Sequence, residues 1–369
     1  PRTLVFMNSV TPRLFIAATR QNEGKTTTSL GLLAAIQRYY PRIGYIKPVG
    51  QRFVEIAEQK IDEDTVLMDR VYQLNCPLVD MSPIAVEPDF TRKYLQSSNY
   101  DTLVKKIHKA FDRVAWEKDF VLCEGSGHAG VGSVFDLSNA RVAKLLNAKV
   151  VIVSQGGIGK PIDEVCLNQA LFEKEGVEII GVILNKVTME KIEYVSEFAR
   201  RGLKRKGLEL LGVMPHQSIL SRASMQVISD ELGAQLLNRP DQLTNSVDEV
   251  VVGAMGVQNV MRLFRPGVLI IAPGDREDIM LAAATTRFGQ NDGLAGIVLT
   301  GDMRPSPSVL KVIKEMHFPV LLTPQDSYQV ASIVHDLIVK TRPNETQKIS
   351  LIRDLIARHV DVNYILKSL

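Results

Sequence analysis

Short apolar runs recur along the chain, and most are followed by a stretch whose apolar positions return at helical spacing. That alternation is the pattern of strand–helix units built on a parallel sheet, so the expected fold class is α/β with helices on both faces of the sheet. In the first part, Leu14–Ala18 reads as a strand, then a polar loop and a helix over Thr26–Tyr40, then a strand over Ile43–Lys47. Further strands are expected at Phe120–Cys123, Val150–Val153, Ile179–Leu184 and Leu210–Val213. Phe120–Cys123 and Val150–Val153 are apolar at every position, as strands covered on both faces should be. After Pro215 the pattern starts again. Met225–Leu237 has helical spacing, Asn238–Asp241 carries a turn signal, and Glu249–Val252, Val268–Ala272, Gly296–Leu299 and Val320–Leu322 form a second strand set. Beyond the break at Arg342-Pro343-Asn344 the chain is helix-rich. A chain of 369 residues exceeds most single cores, and the expected organisation is a domain over 1–218, a smaller α/β domain over 219–337, and a helical tail over 338–369.

The first strand runs directly into Thr19-Arg20-Gln21-Asn22-Glu23-Gly24-Lys25-Thr26 and a helix. A loop in that position turns successive backbone N–H groups toward a phosphate, and the helix N-terminus adds its partial positive charge. Gly24 allows close approach, Lys25 reaches the outer phosphates, and the Thr26 hydroxyl is placed for Mg2+. Asn22, Glu23, Gly24, Lys25, Thr26 and Thr27 are therefore the expected phosphate-binding set of a P-loop, with ATP and Mg2+ as its cofactors. Thr19 stands where the usual pattern has its first glycine.

Other residues fall where the same sheet would bring them near that loop. Lys47 ends the second strand, and strand carboxyl ends face the ligand crevice in open α/β sheets, so its ammonium is expected to point at bound phosphates; the alternative is a surface lysine before a turn. Glu124 closes a strand before Gly125-Ser126-Gly127, where a carboxylate could hold Mg2+ or be a solvated loop residue. Asp62 and Asp64 either complete the metal site or favour the start of a following helix. The expected metal set is Thr26, Asp64 and Glu124. If phosphoryl transfer occurs, Lys25 and Lys47 are the catalytic candidates, stabilising its charge.

Taken together these residues resemble the dethiobiotin synthetase-like family of P-loop proteins, which includes the amidating cobyrinic acid synthases. The resemblance covers most of residues 12–216 and rests on Glu23-Gly24-Lys25-Thr26, Lys47-Pro48-Val49, Glu124-Gly125-Ser126-Gly127, Asn185-Lys186 and Leu211-Gly212-Val213-Met214-Pro215. Dethiobiotin synthetases also carry threonine where Thr19 stands. The resemblance implies that Asn185 contacts the adenine and that Pro215 flanks it, although an asparagine at a strand end is also a common turn former. It further implies an enzyme that uses ATP to activate a carboxylate or carbamate. The family's serine after Lys-Pro-Val is missing here, where the chain reads Gly50-Gln51-Arg52, and nothing after residue 218 resembles a glutaminase.

The second half resembles a DRTGG domain over about residues 220–337, through Val252-Gly253-Ala254-Met255, Ala272-Pro273-Gly274-Asp275-Arg276, Leu299-Thr300-Gly301-Asp302 and Pro319–Pro324. The two domains in this order are similar to the amino-terminal regulatory half of the long bacterial phosphate acetyltransferases, whose acetyltransferase domain has no room in this length. Asp275 and Asp278 read as a helix-capping arrangement, and Arg276 could instead present its guanidinium to a small anionic metabolite. Gln155-Gly156-Gly157-Ile158-Gly159 follows a strand but lacks the spacing of a dinucleotide fingerprint.

Composition adds exclusions. Forty-four basic against forty-one acidic side chains give a net charge of +3, which argues for no nucleic-acid partner. Arg200, Arg201, Lys204, Arg205 and Lys206 read as a solvated helix end. Three scattered cysteines fit reduced thiols, no apolar run is long enough to span a membrane, and Pro1–Leu4 lacks a secretory pattern, so a cytoplasmic protein is expected. A homo-oligomer is expected as well. Two functions remain. The chain is a nucleotide- or metabolite-sensing regulatory protein, or it is an ATP-dependent synthetase.

Overall fold

The computed structural model describes residues 8–238, 240–285, 293–337 and 339–369. Pro1–Leu4 and Arg239 of the turn signal lie outside the described residues. The chain forms two compact units, Pro1–Gln217 with Thr341–Leu369, and Ser218–Lys340.

The first unit carries strands β1 (Arg13–Ala18), β2 (Ile43–Ile46), β3 (Val49–Gly50), β4 (Phe53–Ile56), β5 (Gln59–Asp62), β6 (Ile84–Ala85), β7 (Phe120–Glu124), β8 (Lys149–Gln155), β9 (Ile179–Val187) and β10 (Leu210–Pro215). Six of them make one parallel sheet in the order β10-β9-β8-β1-β7-β2. Strand β1 is buried along its whole length, with Phe15 paired to Cys123 on one side and Val150 on the other. From β1 the chain builds outward first to β7 and β2, then to β8, β9 and β10. The loop after β1 thus lies at the switch point, where such sheets open a crevice. The helix that follows, Lys25–Ile36, stops short of Tyr40 because Pro41 disfavours helical backbone in the residue before it.

A short hairpin, β4 with β5, projects after β2. Its turn is Ala57-Glu58, both at positive φ, without the glycine or asparagine that usually announces such a turn. It delivers Asp62 to the N-terminus of the helix Glu63–Tyr72, where the Asp62 carboxylate accepts from the Asp64 N–H.

The final helices belong to this unit. Helix Thr346–His359 lies against Lys25–Ile36 so closely that a Cβ on Gly31 would come 2.2 Å from Ile356 Cγ1. Val360 then bridges Gly212, and the Asp361 N–H donates to the Leu211 carbonyl, which shields edge strand β10.

The second unit carries β11 (Gln235–Leu236), β12 (Glu249–Val252), β13 (Val268–Pro273), β14 (Gly296–Thr300) and β15 (Val320–Leu322), in the order β11-β15-β14-β13-β12. Alternate residues face opposite cores, with Ile270, Ile297 and Val320 on one side and Leu269, Val298 and Leu321 on the other. The helix expected over Met225–Leu237 ends at Leu232, because Gly233 takes left-handed backbone and releases the chain into β11. Among the described residues no helix is long and apolar enough to cross a membrane.

The Gly31 contact yields a test. Gly31→Ala is expected to lower stability by about 1–3 kcal/mol through overpacking against Ile356, read as a lower thermal midpoint and faster proteolysis near residue 345.

Candidate functional site

Between β1 and its helix the backbone turns twice through left-handed conformation, at Asn22 (φ 63°) and Gly24 (φ 96°). That alternation points successive N–H groups into one concavity at the helix N-terminus. Gly24 has a second reason to be glycine, since a Cβ there would lie 2.2 Å from Asn185 Nδ2. Asn185, near the end of β9, donates from Nδ2 to the Glu23 carbonyl at 2.9 Å, and Lys186 Nζ donates to the Asn22 carbonyl at 2.5 Å. Thr19 is buried, with its hydroxyl 3.0 Å from Ser154 Oγ in β8. The loop is therefore clamped from two neighbouring strands. The Glu23 carboxyl is pushed up by burial and by Glu164, against the pull of Lys186, Arg20 and Lys25.

Glu124 is fully buried at the end of β7. Its Oε1 accepts from the Thr26 hydroxyl at 3.0 Å and its Oε2 from the Tyr45 hydroxyl at 3.1 Å. Lys47 Nζ lies 3.8 Å from Glu124, 3.2 Å from Asp62 Oδ1, and in hydrogen-bond contact with Asp64. Burial alone would lower the Lys47 pKa, but Asp64, Asp62 and Glu124 together hold it well above the ordinary lysine value. Burial likewise raises Tyr45 well above a free phenol, with Glu124, Asp64 and Asp62 adding to it.

The expected residues thus fall into groups. Thr26, Glu124, Lys47 and Asp64 converge, while Asn22, Glu23, Gly24 and Asn185 form the clamped loop. Thr27 and the half-exposed Thr26 begin the helix beside Lys25, which is largely buried. Pro215 ends β10 opposite Val187, two residues beyond Asn185 on β9. Two placements differ from a simple reading. Lys47 is only 6% exposed and is held by carboxylates rather than presented at a surface. Asp62 is both helix cap and ion-pair partner, and Asp64 is a first-turn acid that pairs with the same lysine. Tyr45 was not singled out in the sequence; its position two residues before Lys47 in an extended segment was the available signal.

The residues fit a magnesium nucleotide. Thr26 Oγ1 and Glu124 Oε1 are close enough to share a hard cation, and Asp64 is joined to them through Lys47. As the side chains stand, no group of three His, Cys, Asp or Glu among the described residues is arranged around a metal position. A cation here would be held by a hydroxyl, one or two carboxylates and water, the manner usual for Mg2+.

In the second unit, the Arg276 guanidinium pairs with both oxygens of Asp278 and donates to the carbonyls of Gly253 and Met255. It staples the turn after β12 to the start of helix Glu277–Thr285. Thr300 contacts Ser327 at 2.8 Å, and the Gly301 and Asp302 N–H groups donate to Gln325 and Thr323.

Comparison with known proteins places this architecture. Residues 12–224 match the AAA domain and residues 227–337 the DRTGG domain. The chain belongs to the AAA domain family. Phosphate acetyltransferase of Pseudomonas aeruginosa is 29% identical over 368 residues, covering 95% of this chain and 51% of that protein. The enzyme of the same name from Nitratidesulfovibrio vulgaris is 26% identical over 359 residues, covering 94% and 50%. The chain therefore spans about half the length of the curated relatives it matches. It is related to their N-terminal half, as the domain order in the sequence implied. Among solved structures, the MinC:MinD cell division complex of Aquifex aeolicus is 16% identical, covers 57% of this chain and 83% of its own, and has a TM-score of 0.36.

Replacing Lys47 by Met leaves three carboxylates without their shared ammonium. The expected cost is about 3–5 kcal/mol, the range for breaking a buried pair. The native protein holds Lys47 protonated above its ordinary value, so the pairing contributes in full below about pH 10.4 and fades only as pH rises through the folded pKa. The gap in denaturant midpoint between the native and Lys47→Met proteins should accordingly be no smaller at pH 9 than at pH 6, where carboxylates left without the ammonium can take up protons.

Proposed function

We propose that this chain is a nucleotide- or metabolite-sensing regulatory protein of the cytoplasm, with ATP and Mg2+ bound by its AAA domain. The observation that supports this most directly is the clamped left-handed loop at Asn22–Gly24, leading into a helix whose Thr26 hydroxyl meets the buried Glu124. In this reading the loop N–H groups and Lys25 hold the phosphates, while Thr26, Asp64 and Glu124 supply ligands to Mg2+. Asn185 and Pro215 border the base. The DRTGG domain takes a small anionic metabolite at the carboxyl ends of β13 and β14 and tunes the response, in a homo-oligomer. Acetyl transfer, which names the relatives, is not proposed as an activity of this chain.

The alternative is an ATP-dependent synthetase in which Lys25 and Lys47 stabilise a transferring phosphoryl group. The presence of Lys25, Lys47 and Glu124 around one crevice favours it, since binding alone does not require all of them. The ion pairs of Lys47 count on the other side, because a carboxylate substrate would compete with three protein carboxylates for that ammonium.

Calorimetric titration with ATP and Mg2+ tests the shared core of both readings. Lys25→Ala should weaken binding at least tenfold, a loss of about 1.4 kcal/mol. Wild-type affinity unchanged by Lys25→Ala would remove the P-loop from the account. Phosphate release with added carboxylates and amines separates the two functions, since robust turnover would favour the synthetase.

A further inference from the structure

The phosphate loop is gripped from β9 by its carbonyl groups. Asn185 Nδ2 donates to the Glu23 carbonyl at 2.9 Å, and Lys186 Nζ donates to the Asn22 carbonyl at 2.5 Å. A trans peptide unit is planar with its N–H opposed to its C=O, so a carbonyl drawn toward β9 turns the following N–H the other way. The Glu23 carbonyl shares its plane with the Gly24 N–H, and the Asn22 carbonyl shares its plane with the Glu23 N–H. The grip on the carbonyls therefore sets the direction of two of the N–H groups that the loop offers to a phosphate.

The Asn185 amide is itself fixed for this contact. Its side chain is buried, and its Oδ1 accepts from the Lys186 N–H at 2.8 Å. A carbonyl only accepts and a backbone N–H only donates, so these two partners decide which end of the amide faces the loop. Lys186 takes left-handed backbone (φ 59°), uncommon for a residue with a Cβ, and with that turn its N–H meets Asn185 Oδ1. The neighbouring strand holds the residue in turn: Asn185 pairs with Gln155 at the end of β8, and the Gly156 N–H donates to the Asn185 carbonyl at 2.7 Å.

We infer that Asn185 is a positioning residue for the phosphate loop: by drawing the Glu23 carbonyl toward β9 it aims the Gly24 N–H at the phosphates, and its contribution to binding goes to the polyphosphate chain and not to the base. This rests on the nucleotide reading above, in which Asn185 borders the base; its polar atoms there are turned to the loop. A ligand made of the phosphate chain alone therefore depends on Asn185 as much as a nucleotide does. Without the amide, the Glu23–Gly24 peptide unit has to be ordered again each time a phosphate binds.

The test is calorimetric titration of the full chain with ATP and with inorganic tripolyphosphate, each with Mg2+. Asn185→Ala removes the amide without changing charge and should weaken both ligands about tenfold, with the two losses within about twofold of each other. A loss confined to ATP would mean that Asn185 reads the base, and no loss with either ligand would mean that the loop is aimed without it; either result overturns the inference. Asn185→Leu fills the same forked space with no polar atom and should reproduce the loss if Asn185→Ala folds poorly. Hydrogen exchange of the ligand-free protein, followed by mass spectrometry, separates aiming from general destabilisation. Peptides over residues 19–26 should exchange several-fold faster in Asn185→Ala while those from β7 keep the wild-type rate; equal acceleration in both, or none in either, overturns it too. If the wild type binds neither ligand, the nucleotide reading itself falls, and the exchange result alone decides whether Asn185 orders the loop.

Discussion

A carboxylate with no exposure to water has to be satisfied by the protein, and Glu124 is that carboxylate. Its partners come from separate elements: Thr26 from the helix after β1, Tyr45 from β2, and Lys47 from the segment beyond it. One buried charge thus ties the P-loop helix to the strand on the far side of β7. Lys47 extends the network to the hairpin and to the helix it caps, through Asp62 and Asp64. Geometry and electrostatics are coupled here, because displacing Lys47 takes from the buried Glu124 the cation beside it.

The phosphate side is fixed by a different constraint, which is space. Gly24 is pressed against Asn185, and Thr19 is tied to Ser154, so the loop is held between β8 and β9 before any ligand arrives. A loop so held loses little freedom on binding, and that preserves affinity. The two sides meet at Thr26, whose hydroxyl faces a carboxylate while its backbone begins the helix. Thr26, Glu124 and Asp64 are the residues that would hold a hard cation there, where its charge would offset theirs.

Much of this was legible in the sequence, and the parts that were not share a cause. Continuous apolar runs such as Val150–Val153 marked central strands because burial on both faces leaves little room for polar residues. The strand–Gly-Lys-Thr–helix order marked the phosphate loop for an equally local reason. The strand-end position of Lys47 indicated the crevice, but its partners depend on a hairpin turning at Ala57-Glu58, and nothing in those two residues signals a turn. Helix ends failed where a single residue decided them, Pro41 in one case and Gly233 in another. The seat of Thr346–His359 on the first unit depends on Gly31, whose significance lies in a neighbour more than 300 positions away. Local patterns were readable; the long-range contacts that complete the site were not.

The same charges bear on what the nucleotide is for. A synthetase must bring a carboxylate or carbamate against the outer phosphate, and the obvious cation to receive it is Lys47. That ammonium already has three anionic partners, so an incoming carboxylate would meet a crevice of its own sign. The serine that the synthetase resemblance leads one to expect is also absent, and the glycine in that stretch, Gly50, makes room for Asp62. The preference proposed above for sensing over turnover rests on this balance of charge around Lys47.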